Sequence, residues 1–288
     1  MTGLASRLRR GNTAKYLETA KIPPLAGRAL RDAAIIVAVL IAVARAAGVL
    51  WPDAIDFHAY YVADLGSLYA GSYSGGPDAF LYSPLFAQLT EPLRWLPYTV
   101  ALGLWTALEL GALIYLAGPW SLPLMLLLSQ EWMLGNVHII MAAAVVVGMK
   151  QPAAWSFPLM TKLSPGVGIL WFAVRREWRP LAVAVGTFAA LAAVSFALAP
   201  GLWFDWARLL VANVGPGSSP EFLGGHLRIP LLWRLPAAVL LVVWGARTGR
   251  AWTVPVACGL AMPVLWISAV IAFGLAAIRS RRSGERIA

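Results

Sequence analysis

Apolar runs recur along the chain from residue 33 to residue 278, each ended by proline, glycine or a short basic cluster. Their lengths predict membrane-spanning helices at roughly 33–50, 98–118, 121–133, 139–149, 180–200 and 229–245. Residues 152–174 would make one further span, but Lys162-Leu163-Ser164-Pro165 sits in its middle, where a lysine is costly. Two short tilted helices with Lys162 at an outer apex are expected instead. Residues 252–278 contain Pro255 and Pro263 and are expected as a hairpin. The pattern predicts an all-α polytopic membrane protein, one bundle of about ten spans.

Residues 51–97 depart from this pattern, being neither basic nor continuously apolar. They hold Asp53, Asp56, Asp64, Asp78 and Glu91, five of the chain's 13 acidic residues. Phe57, Tyr61 and Leu65 recur at helical spacing, with Asp56, Tyr60 and Asp64 on an adjacent face. That spacing predicts an interfacial helix, apolar side toward lipid and acidic side toward water. Residues 71–77 break the helix, and 80–97, punctuated by Pro84, Pro92 and Pro97, reads as partly inserted. A second loop, 201–228, joins an amphipathic piece at 203–213 to a Gly-rich one at 215–225.

Charge gives these segments sides. Only 12% of residues are charged and 60% are hydrophobic, whereas a soluble domain carries about a quarter charged residues. The net charge of +10 could suggest nucleic acid, but its distribution does not. With residues 1–31 and 280–288 as basic cytoplasmic ends and 32–279 as the membrane domain, and with Lys150, Arg175, Arg176, Arg179, Arg247, Arg250 and Arg279 on the same side, 17 of the 23 Lys and Arg residues are cytoplasmic. The loops at 51–97 and 201–228 are then outside, with membrane lipids as partners and no nucleic acid. The run ending at Ala44-Arg45-Ala46 is expected to remain as an uncleaved first helix, because about thirty residues precede it. Cys258, the single cysteine, permits no internal disulfide.

Among side chains able to carry chemistry, Asp56 stands out just past the first span. A carboxylate beside Phe57, Tyr60 and Tyr61 could be a general base, or could simply cap the interfacial helix; spacing does not separate the two. Lys162, Arg228 and His226 are candidate cations on the same side. Lys162 could alternatively snorkel to the interface, and Arg228 could anchor the following span. Tyr60, Tyr61, Tyr82, Asn136 and His138 are candidate substrate contacts. Glu131, Asn136 and His138 lack any metal-ligand spacing, so no metal is expected. Arg45 and Glu109 lie within spans without an evident partner. No Walker A, dinucleotide fingerprint or nucleophile elbow is present.

The order of short motifs resembles glycosyltransferase family 87, the polyprenol-phosphate-mannose-dependent mannosyltransferases. Asp56-Phe57-x-x-Tyr60-Tyr61, Leu68-Tyr69 and Phe80-Leu81-Tyr82-Ser83-Pro84-Leu85 carry the resemblance. It continues through Gly135-Asn136-Val137-His138, Lys162-x-x-Pro165, Arg175-Arg176-x-Trp178-Arg179 and Met262-Pro263-x-x-Trp266. The resemblance implies a GT-C bundle with its active site on the non-cytoplasmic face, Asp56 as base, and metal-independent inverting transfer with no cofactor. The expected partners are a polyprenyl-phosphate hexose donor, with its phosphate at Lys162, Arg228 and His226, and a lipid or glycan acceptor. Two rival expectations are a transporter, with Arg45, Glu109 and Lys162 lining its path, and a catalytically silent scaffold.

Overall fold

The computed structural model describes residues 23–72, 78–212, 226–227 and 229–284. Helix α1, Pro24–Ala46, starts nine residues before the expected span because Pro24 occupies a first-turn position, where its missing N–H costs nothing. It packs along α4, Tyr98–Ala117. Ala34, Ala38 and Ala42 form its buried stripe. Gly103 lets the two helices close together, since a Cβ there would lie 2.5 Å from the Ala46 Cβ and 2.8 Å from the Ala42 carbonyl.

Between them, α2 (Ile55–Tyr61) and α3 (Pro84–Thr90) lie in the segment that sequence marked as anomalous. Ser83 starts α3 by accepting from the Phe86 N–H, with Pro84 in the first turn. Helix α2 is shorter than expected and its apolar side does not face lipid. Phe57 is fully buried, its ring against Tyr61, Tyr98 and Trp105, and Leu65 lies beyond the helix. The spacing of Phe57 and Tyr61 was sound, but the protein's own α4 covers that face.

A tight turn at Gly118–Trp120 leads into α5 (Ser121–Leu127), α6 (Ser129–Leu134) and α7 (His138–Gly148), so the expected span at 121–133 is two short helices. Then α8 (Ser156–Thr161) and α9 (Leu170–Val174) flank the break expected at Lys162, whose backbone is extended. Helices α10 (Trp178–Leu198) and α11 (Pro200–Ala212) follow. The chain ends with α12 (Leu231–Thr248), α13 (Thr253–Leu260) and α14 (Ile267–Gly284), the last two forming the expected hairpin. Strand β1, His226–Leu227, pairs antiparallel with β2, Leu265–Trp266; the fold is otherwise helical among the described residues.

Among the described residues, three stretches are long and apolar enough to cross a membrane: Tyr98–Leu127 (interrupted by the turn at 118–120), Trp178–Leu198 and Leu231–Thr248. Beyond Arg179 in its first turn, the exposed side chains of α10, among them Val183, Leu191, Val194 and Leu198, are apolar, as contact with lipid requires. These helices mark a membrane protein. The other expected spans appear as shorter apolar helices such as α7, or as helices carrying charge near their ends, such as α1 and α14.

Candidate active site

Three chain segments converge on Asp56. The first is α2 itself, which begins after Ala54 without any side-chain cap, so the capping alternative for Asp56 falls away. Its carboxylate instead accepts from the Asn136 amide across 80 residues of sequence, at 2.7 Å to Oδ2. The second segment is the turn at 135–137 between α6 and α7. Gly135 has φ of +75°, and a Cβ there would lie 2.5 Å from that of Phe57, so glycine allows α2 to seat directly on the turn. The turn is held by the Trp105 indole, which donates to the Gly135 carbonyl at 3.0 Å, and by the Asn136 side-chain oxygen, which accepts from the Val137 N–H.

The third segment brings Lys162 from the break between α8 and α9. Its ammonium does not snorkel. It turns inward, with Nζ 3.1 Å from His138 Nε2 and 5.6 Å from the centre of the Tyr82 ring. The other nitrogen of His138, Nδ1, is 3.1 Å from Glu131 Oε1, and both side chains are buried. Ser83 anchors the Tyr82 segment to the end of α8 by donating to the Met160 carbonyl at 2.6 Å.

Aromatic rings wall the cluster. The Tyr60 and Tyr82 hydroxyls are 2.9 Å apart, and both rings pack on Phe86. Burial raises both phenol pKa values, so these tyrosines are neutral. Tyr69 donates to the Tyr82 carbonyl at 2.8 Å and fixes the segment from behind.

Electrostatics follow from this enclosure. Burial raises the Asp56 carboxyl above the usual range, against the opposing pull of Lys162 and the Asn136 hydrogen bond. Burial lowers the Lys162 ammonium to about 8, while Asp56 and Glu131 act to keep it protonated. Glu131 is penalised by burial, yet His138, Ser268 and Lys162 together hold it below the usual carboxylate range. Among the described residues, its second oxygen, Oε2, has no hydrogen-bond partner.

The structure therefore brings together Asp56, Tyr60, Tyr82, Asn136, His138 and Lys162. It does not bring Tyr61, whose hydroxyl donates to the Leu96 carbonyl. Arg228 and the His226 side chain lie outside the described residues. Asp64 closes a local turn through Gly66 and Ser67, and Asp78 pairs with His58 at the surface. Among the described residues, no three His, Cys, Asp or Glu side chains are grouped to hold a metal ion.

Two contributors were missed in the sequence. Glu131 is grouped in sequence only with the outer-turn polar residues Asn136 and His138; an acid beside an apolar stretch is itself a signal of a paired or functional group. Arg45 had no partner. Its fully buried guanidinium donates to the Trp132, Met133 (2.9 Å) and Trp51 (3.1 Å) carbonyls, fastening the end of α6 to the chain that leads into α2. Glu109, the acid whose charge acts most on it, makes no hydrogen bond among the described residues.

The chain matches the model of a family described as Glycosyltransferase family 87 over residues 80–285, a range that includes Tyr82, Asn136, His138 and Lys162 and begins after Asp56. No curated protein and no solved structure matches it.

Proposed function

The chain belongs to glycosyltransferase family 87 and is a glycosyltransferase; from that premise we propose that it transfers a hexose, with mannose the first candidate, from a polyprenyl-phosphate donor to a lipid-linked or cell-envelope acceptor. In this reading the protein crosses the membrane several times, its termini are cytoplasmic, and the Asp56 cluster opens on the far face.

Asp56 takes the proton of the acceptor hydroxyl. The freed oxygen attacks the anomeric carbon while the bond from that carbon to the donor phosphate breaks. The bonding pair leaves with the polyprenyl phosphate, whose added negative charge meets Lys162. A single in-line displacement of this kind inverts the anomeric centre. A raised carboxyl pKa makes Asp56 a stronger base than an exposed aspartate, and a positioned base of this kind contributes ~10²–10⁴-fold. Asn136 aims it by donating to Oδ2, which leaves Oδ1 to receive the proton. Tyr60 and Tyr82, neutral and mutually bonded, provide a wall rather than a charge.

The observation that carries this reading is the pairing in one enclosure of an oriented carboxylate, Asp56, with an inward-turned cation, Lys162. Purified protein in detergent, given a polyprenyl-phosphate hexose and membrane acceptor lipids, should yield glycosylated lipid. Vectorial solute flux in proteoliposomes without transfer would contradict the proposal.

A further inference from the structure

Asp56 and Lys162 carry the proposed step, and Glu131 takes no direct part in it. Yet Glu131 is only 2% exposed, and an unpaired carboxylate so buried is costly. Its partner is His138, which is 0% exposed and sits with Nδ1 3.1 Å from Glu131 Oε1 and Nε2 3.1 Å from Lys162 Nζ.

The chemistry of the three groups sets the direction of these bonds. An ammonium can only donate, so Nε2 accepts from Lys162 and the ring proton resides on Nδ1, where it points at Glu131. A carboxylate behind an imidazole fixes its tautomer and makes its far nitrogen a better acceptor. The result is a buried line from Glu131 through His138 to the Lys162 ammonium.

We infer that Glu131 is a positioning residue: acting through His138, it aims the Lys162 ammonium into the site and keeps it charged for the phosphate of the lipid donor. This rests on the proposed role of Lys162 as the phosphate's counter-charge. The groups facing the line are Asp56 on α2, Glu109 on α4, Arg45 on α1, Ser268 on α14 and the Tyr82 ring. Of these, only Asp56 shares with Glu131 the task of holding Lys162 protonated.

The variant E131Q keeps shape and an accepting oxygen but removes the charge. The probe is binding of a polyprenyl phosphate, read by tryptophan fluorescence across pH, with the unphosphorylated polyprenol as control. Wild type should lose phosphate-dependent binding with a midpoint near 8, where Lys162 deprotonates. In E131Q that midpoint should fall by about 1 pH unit, the scale on which one nearby charge acts. E131D should keep most of the wild-type midpoint, and K162M should lose phosphate-dependent binding at every pH. Should E131Q fail to fold, H138Q, which interrupts the line, must shift the midpoint in the same direction. Weaker binding in E131Q with an unmoved midpoint would reduce Glu131 to a structural part and overturn the inference. Absence of phosphate-dependent binding in wild type would overturn it together with the role of Lys162. Wild-type binding with the expected midpoint but no hexose transfer would sink the proposed reaction alone and leave the role of Glu131 standing.

Discussion

Replacing Gly135 with alanine tests how the Asp56 carboxylate is held. A Cβ at this position would lie 2.5 Å from the Phe57 Cβ and 3.3 Å from its backbone N and Cα, at a φ of +75°. Unstrained carbon contacts are about 3.5–4.0 Å, so α2 must retreat by roughly 1 Å. The left-handed conformation costs alanine ~1–2 kcal/mol, and overpacking adds about 1–3 kcal/mol. A stability loss of about 2–5 kcal/mol follows if nothing relaxes. Phe57 is the neighbour of Asp56, and a displacement of that size at the base should cost ~10²-fold in transfer. The assay is chemical unfolding in detergent micelles together with hexose transfer from the lipid donor. Gly111→Ala is the control: nothing lies within 4 Å of its added Cβ, and in the interior of α4 it should be neutral or stabilise by about 0.5–1 kcal/mol. If Gly135→Ala folds and transfers like the wild type, the seating of α2 on the turn is not what places Asp56.

Transfer should follow a bell in pH. Its acid limb lies above the ordinary aspartate value because burial raises Asp56, and its alkaline limb lies near 8, where Lys162 loses its proton; a profile flat from the ordinary aspartate value of 3.8 up to about pH 9.5 would contradict both assignments. Lys162→Met should lower kcat/KM by ~10²–10³-fold, the usual effect of removing one transition-state cation or donor, and abolish the alkaline limb. The same lysine has a stability signature. Its folded-state pKa is lowered, so its charge opposes folding below pH 8, and that penalty fades as pH rises from 8 toward 10.5. Unfolding measured across that window should show the wild type gaining stability relative to Lys162→Met. Arg45→Met should destabilise by about 3 kcal/mol or more, because it strips three carbonyls of their donor at about 1–3 kcal/mol each. Unfolding at wild-type denaturant would refute that role for Arg45.

Local chemistry was readable in the chain, and long-range pairing was not. The break at Lys162 could be foreseen because a lysine and Pro165 cannot both sit inside one apolar helix, and the backbone is indeed extended there. The helix start at Tyr98 follows Pro97 as expected, and the helices from Trp178 and Leu231 begin within two residues of the expected 180 and 229. The direction of the apolar face of α2 was misread because periodicity reports which residues share a face and is silent about what covers it; here Tyr98 and Trp105 do, not lipid. The bonds of Asp56 to Asn136 and of Lys162 to His138 span 80 and 24 residues, and no local pattern encodes such contacts. Tyr61 shows the converse error. It neighbours the site in sequence, but helical rotation turns its hydroxyl to Leu96 while Tyr60 meets Tyr82.

The central claim is that Asp56 removes the proton of the acceptor hydroxyl. Hexose transfer from a polyprenyl-phosphate donor should therefore be compared in wild type, Asp56→Asn and Asp56→Glu, each shown to be folded in the same detergent. Asp56→Asn preserves size and polarity but cannot accept the proton, and it should lose ~10²–10⁴-fold in kcat, with partial recovery in Asp56→Glu. Transfer by Asp56→Asn at the wild-type rate would contradict the account.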